Sequence, residues 1–403
     1  MKKILLATMI IMTFTGVVNK SYAQGEAAVP FLLLAPDSRA GGIGESGAGL
    51  GDNSAAIFWN PAGIAFLTGS EVSITHSNWL PQFNLDIFYD YLAYRQYIDD
   101  IGGSVLASVT YMDYGEFVRT SSQSPDPIGT FRSFDAALTL GYATKLSEDW
   151  GLGFNFRIIH SRLSDKPTEN EQGSGVATTV SADIAAMWRP SELNIPLIGD
   201  MGNRLSIGAN LSNLGPKITY IDQAQSDPIP TNFRLGFAVR IFEDDFNSLT
   251  YTLDFSKLLV DRGTSSTDQG LFGDDSTSTS TKTSERKDFY ETIFTAWADQ
   301  SFGEELRDIV TSMGLEYWYG EPSDFMFAIR AGFFYEDPSY GNRKFITLGA
   351  GIRYDMYGFD FGYISTDMFK DGENHPLSGT LRFSLLIGWG SAPTKAKGFP
   401  RGI

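Results

Sequence analysis

Apolar and polar residues alternate one for one in segment after segment of this 403-residue sequence, and that alternation limits the fold more than any other feature. Leu205, Ile207, Ala209 and Leu211 share one face, with Ser206, Gly208, Asn210 and Ser212 on the other. Near the C-terminus Leu381, Phe383, Leu385, Ile387 and Trp389 oppose Arg382, Ser384 and Gly388. The same reading predicts strands over 71–79, 86–97, 103–116, 132–145, 149–163, 174–190, 202–213, 231–242, 246–259, 310–320, 323–335, 343–355, 357–366 and 379–390, fourteen in all. Connections alternate in length. Those at 98–102, 146–148, 243–245, 321–322 and 356 are tight, whereas 117–131, 164–173, 214–230, 260–309 and 367–378 are long. An even number of antiparallel strands joined by short turns at one end and long loops at the other is the pattern of an outer-membrane barrel.

Closure follows from solvent physics, because an open sheet edge in hydrocarbon leaves backbone groups unpaired at a cost of several kcal/mol each. After the first residues no run of about 18 apolar residues occurs, yet 30 Phe and 18 Tyr are present. Abundant but interleaved apolar residues fit strands with one lipid face and one lumen face. With the first strand rising from the periplasm, Trp150, Trp188 and Trp389 fall at periplasmic strand ends and Trp79 at the outer end, as an aromatic girdle requires. Residues 191–201 form a longer periplasmic turn.

One segment breaks the pattern. Residues 36–67 hold six glycines between Gly41 and Gly51, then an Ala-rich stretch that stops at Asn60-Pro61-Ala62. Proline lacks an N–H and restricts its predecessor, so this stretch is expected to be a compact hatch inside the barrel. The predicted organisation is a signal peptide over 1–23, an N-terminal segment and hatch over 24–67, a barrel over 68–390 and a tail over 391–403. Removing Lys2, Lys3 and Lys20 with the signal takes the formal net charge from −17 to −20, which disfavours nucleic acid as a partner. There is no cysteine, hence no disulfide framework or thiolate chemistry. Within the long 260–309 loop, 263–283 is a Ser/Thr/Asp-rich tract. Phe302, Leu306, Ile309 and Val310 lie at helical spacing and predict a short amphipathic helix capping the wall.

Motifs for chemistry are weak. Gly42, Gly44 and Gly47 fit a dinucleotide fingerprint but lack the flanking strand and helix, so they read as a hatch turn and no cofactor is expected. His76, His160 and His375 have no metal-ligand spacing, and no metal site is expected. His160 and Ser161 point to opposite faces of one strand and cannot act as base and nucleophile, so no catalytic residue is assigned. Asp274-Asp275 reads as solvated loop. The lumen charges, Arg157, Arg234, Arg240, Arg330, Arg353 and Arg382 against Asp135, Asp183, Asp254 and Glu316, read as ion pairs that fill the interior and hold the hatch.

The Asn60-Pro61-Ala62 hatch followed by fourteen strands resembles the FadL-type barrels. Further segments narrow the likeness: Pro36-Asp37-Ser38-Arg39-Ala40-Gly41-Gly42, Phe58-Trp59-Asn60-Pro61-Ala62, Ile229-Pro230-Thr231-Asn232-Phe233-Arg234, Phe302-Gly303-Glu304-Glu305-Leu306 and Arg330-Ala331-Gly332-Phe333-Phe334-Tyr335-Glu336. Together they resemble the PorV (LptO) family of the type IX secretion system. The resemblance implies a non-enzymatic outer-membrane protein that receives the C-terminal signal domain of cargo leaving the translocon barrel. It then delivers cargo to the surface sortase complex that attaches lipopolysaccharide. On that reading the cargo-binding candidates are apolar residues on long loops: Phe117, Val118, Ile221, Ile229, Met368 and Phe369. The alternative is a FadL-like uptake channel for hydrophobic small molecules, which the polar lumen faces disfavour.

Overall fold

A computed structural model describes residues 27–121, 124–164, 173–221, 226–261, 287–321, 325–369 and 375–390. The segment expected to be a signal peptide, the 263–283 tract with Asp274-Asp275 and the tail over 391–403 lie outside the described residues.

The strands are β1 (Ser70–Asn78), β2 (Phe88–Ile98), β3 (Gly103–Thr120), β4 (Pro127–Lys145), β5 (Trp150–Arg162), β6 (Val176–Trp188), β7 (Asn194–Ile195), β8 (Gly199–Asp200), β9 (Leu205–Leu214), β10 (Asn232–Glu243), β11 (Asn247–Leu258), β12 (Val310–Gly320), β13 (Phe325–Tyr335), β14 (Lys344–Tyr354), β15 (Tyr357–Ser365) and β16 (Leu381–Trp389). All but β7 and β8 form one closed antiparallel barrel of fourteen strands, each paired with its chain neighbour. The seam joins β1 to β16, from Ser70 opposite Trp389 to Asn78 opposite Leu381. β7 and β8 make a separate small hairpin in the 191–201 turn.

The alternation that predicts the strands also orients them. In β5, Gly151, Gly153, Asn155, Arg157, Ile159 and Ser161 are buried, while Trp150, Phe154, Phe156 and Ile158 are exposed on the outer wall. Trp150 stacks on Trp188 across the β5–β6 pair, and Tyr94 lies beside Trp389, so the short-turn end carries an aromatic girdle. Trp79 departs from the girdle expectation. It is buried, with the Arg382 guanidinium over its ring at 5.6 Å. The period explains this: Ser77 and Trp79 share the inward face, while His76 and Asn78 share the outward one.

The hatch is short helical pieces joined by glycine turns. A 3-10 turn (Pro30–Leu33) leads to α1 (Ser38–Gly41), capped by Asp37, whose carboxylate accepts from the Ala40 N–H at 2.9 Å. α2 (Ala56–Trp59) ends at Asn60, whose side chain accepts from the Ala62 N–H and caps a second 3-10 turn, Pro61–Phe66. Pro61 sits at the first position of that turn, where a missing N–H costs nothing. The segment traverses the lumen: the Ala28 N–H donates to Pro228 O at the long-loop end, while Gly69, just before β1, accepts from Tyr97 at the short-turn end.

Among the described residues two helices lie between β11 and β12. α3 (Phe289–Thr295) and α4 (Phe302–Arg307) each begin with a capping box, Asp288 with Glu291 and Ser301 with Glu304. The Ser301 side chain and backbone hold the Glu304 carboxyl below its usual range. α4 lies within the stretch expected to be helical, but its apolar residues do not cover the wall. Phe302 and Leu306 are exposed, whereas Glu305 and Asp308 reach back to Lys257.

Candidate functional site

The lumen is a lock between hatch and wall. Arg39, on α1, reaches β12: its Nε and Nη2 donate to the two oxygens of Glu316, both at 2.7 Å. Its Nη1 meets Asp52 at 2.7 Å. Arg330 Nε shares Glu316 from the other side at 2.7 Å, and its Nη1 meets Asp360 at 2.8 Å. Arg353 completes the chain on Asp360 at 2.7 Å. Three guanidiniums therefore face three carboxylates with charge balanced, and the Trp318 ring lies 5.1 Å from both Arg330 and Arg353. Buried charges without partners are far costlier than these paired ones.

Elsewhere the wall grips hatch backbone. Asp254 accepts the N–H groups of Gly47 and Ala48, both at 2.9 Å. Glu71 accepts the Ser54 N–H at 2.6 Å and pairs with Arg95. Asn155 donates to Ile57 O at 2.8 Å, beside the Arg157–Asp183 pair. Asn60 donates to Ala48 O and to Ala186 O of the wall. Arg382 meets Glu45 at 2.8 Å, and Arg189 donates to Leu50 O. Arg234 stacks on Trp59 at 4.5 Å, and Arg240 pairs with Glu243. Asp135 instead accepts from Tyr114 at 2.6 Å.

Close approach requires glycine on both sides. A Cβ on Gly332 of the wall would lie 2.0 Å from Gly44 N, and one on Gly208 would lie 2.1 Å from Ala48 O. Gly44 itself has φ of +74° and donates to Thr347 Oγ1 at 2.8 Å. The fingerprint-like glycines thus lie against the wall. Two small gaps have mixed linings: Leu32, Leu33, Phe58, Arg157, Asn210 and Arg234 line one, and Asp37, Arg39, Leu50, Asp52, Ala56 and Trp59 the other. Ser161 is fully buried, while His160 contacts Thr178 at 2.9 Å on the outward side, so the two diverge as alternation requires. Among the described residues no group of three His, Asp or Glu side chains is arranged to hold a metal.

At the long-loop end the sequence-derived candidates divide. Phe117 and Val118 are exposed, but on strand rather than loop: β3 pairs with β4 as far as Thr120 opposite Pro127. β2 stops opposite Asp113 and β5 stops opposite Phe134, so this hairpin stands above its neighbours. Phe117 stacks on Phe131 at 5.7 Å. Met368 is exposed, and Phe369 is half-buried against Phe333 at 6.1 Å. Ile221 is half-buried beside Tyr220, whose hydroxyl reaches Ser161 Oγ at 2.8 Å. Ile229 does not present surface: it is 1% exposed and packed in the core, because its loop turns inward through the Ile218–Asp227 bridge. Exposed Ile128 on the same hairpin, and Tyr290, Phe294 and Phe302 on the helices, are apolar surface that loop-length reasoning missed.

Among solved structures the chain is similar to the Ralstonia pickettii toluene transporter TbuX, at 10% identity over 89% of this chain and 99% of that one, with a TM-score of 0.45. It is similar to a Pseudomonas aeruginosa FadL homologue at 12% identity, covering 88% and 98% respectively, with a TM-score of 0.45. The Pseudomonas putida toluene transporter TodX matches at 9% identity over 88% and 96%, with a TM-score of 0.44. No curated protein matches the sequence. The family model described as Type IX secretion system protein PorV matches residues 19–265, well over half of the chain, and the chain belongs to that family.

Proposed function

We propose that this outer-membrane protein is a cargo shuttle. It binds the C-terminal signal domain of a protein leaving the type IX translocon and hands the cargo to the sortase and attachment complex at the cell surface. The supporting observation is the filled lumen: wall side chains from many strands are bonded to a hatch that runs from one end to the other. A folded signal domain has no room there, so the working surface is the long-loop end, which by the general rule for such barrels is extracellular. Phe117, Val118, Met368 and Phe369 form the contact surface in this reading, with Ile221 at its edge, since apolar side chains on an otherwise wet rim are costly to leave bare.

The test is the triple variant Phe117→Ser, Met368→Ser, Phe369→Ser. It should yield a folded, inserted barrel that no longer co-purifies with cargo signal domains, and cargo should accumulate with its signal uncleaved. Uptake of long-chain fatty acids in the same strain should be unchanged. Normal cargo processing together with loss of fatty-acid uptake would overturn the shuttle in favour of a small-molecule channel.

A further inference from the structure

The two helices between β11 and β12 are fastened to the outer side of the wall. Along β11, Thr250, Thr252 and Asp254 are buried toward the hatch, so Tyr251, Leu253, Phe255 and Lys257 point outward. Lys257 is nonetheless only 3% exposed, because α4 covers it: its ammonium meets Glu305 at 2.5 Å and Asp308 at 2.6 Å. Trp297, between the helices, lies 5.8 Å from that ammonium. The same ring meets Phe233, an outward residue of β10, edge-on at 5.5 Å.

Docked in this way, each helix turns two large apolar residues, one turn apart, away from the protein. Tyr290 and Phe294 do so on α3, and Phe302 and Leu306 on α4; Phe294 is 78% exposed and Phe302 79%. The side chains turned toward the protein are buried Thr292 and Ala296 with half-buried Phe289 and Ile293 on and after α3, and buried Asp308 after α4. α3 is therefore apolar on its outer face as well as its inner one, unlike a helix packed on a core and facing water.

Continuity identifies what covers this face. Phe233 heads an outward column that continues as Leu235, Phe237, Val239 and Ile241, the surface a barrel presents to hydrocarbon. Aromatic side chains at the head of such a column lie at the boundary between acyl chains and headgroups. Glu304 and Arg307 supply the polar side that an interfacial helix needs.

We propose that α3 and α4 form a rim anchor whose aromatic face beds into the acyl chains of the outer leaflet. Trp297 provides the readout. The full-length protein is placed in lipid nanodiscs carrying bromine near the headgroup end or deep in the acyl chain, and Trp297→Phe isolates its signal from the other six tryptophans. The anchor predicts that bromolipid removes most of the Trp297 emission, more strongly from the shallow position, and that aqueous acrylamide has little effect. Strong acrylamide quenching without bromolipid quenching overturns it. So does a Trp297 signal shielded from both quenchers only when the translocon is added, which makes the face a protein interface. The variant Tyr290→Ser, Phe294→Ser, Phe302→Ser, Leu306→Ser should lose the bromolipid effect while its barrel still shows a heat-dependent gel shift. Undiminished quenching in that folded variant also overturns the anchor.

Discussion

Glu316→Ala tests the central lock. The carboxylate is 2% exposed and holds two guanidiniums, Arg39 from the hatch and Arg330 from the wall. Removing one member of a buried pair typically costs about 3–5 kcal/mol, because the remaining charge is left uncompensated. Here each guanidinium keeps a second carboxylate, Asp52 for Arg39 and Asp360 for Arg330, so the lower figure, about 3 kcal/mol, is the appropriate one. If that cost falls on the bound hatch, the population with a released hatch rises roughly 100-fold. The chain has no cysteine, so Ala55→Cys, buried at α2, gives a single reporter. Its labelling rate by a polar maleimide should rise by about that factor in Glu316→Ala, with the barrel still folded by heat-dependent gel shift. A labelling rate within about threefold of the parent in Glu316→Ala would refute the lock.

Asn60→Ala removes three hydrogen bonds from a fully buried side chain, two of them donated to Ala48 O and Ala186 O; the same labelling assay should detect a loss of about 1–3 kcal/mol. Pro61→Ala should loosen the following turn by about 1 kcal/mol, with membrane insertion intact; abolished insertion would place the hatch in the folding nucleus. Gly332→Val drives a side chain into Gly44 N and should free the hatch without opening the β12–β13 pair, read by proteolysis of residues 36–67 in a barrel that still resists the protease. Lys257→Ala leaves Asp308 buried without its ammonium and should undock α4, seen as a red shift of Trp297 emission.

The barrel was legible because burial on one face of each strand imposes period two, and the fourteen sequence segments correspond to the fourteen barrel strands. Strand ends were less legible where sterics and water do not force a change. β3 and β4 run on to Thr120 and back from Pro127 because ladder pairing continues beyond the neighbouring strands. The lumen charges were recognisable as ion pairs, but their hatch partners were not. Arg39 and Asp52 sit among glycines and alanines whose spacing carries no period, and only the folded hatch brings Arg39 to both Asp52 and Glu316. Ile229 was misplaced because loop membership says nothing about which way a loop folds. α4 was found from apolar spacing, yet that spacing cannot tell a core from a bilayer, and the wall-facing residues proved to be Glu305 and Asp308.

The hatch also sets an order of assembly. It comes first in the chain, but its strongest partners come late: Arg39 and Glu316 are 277 residues apart, and Ser38 and Ser384 are 346 apart. Such contacts are the slowest for a chain to find, since the intervening loop must close first. The same final strand supplies Arg382 and Ser384 to the hatch and completes the seam with β1. Filling the lumen and sealing the wall are thus the same late event. A chain cut before β16 should stall as an open sheet with an accessible N-terminal segment, the form most open to periplasmic proteases, so quality control has one checkpoint to read instead of two.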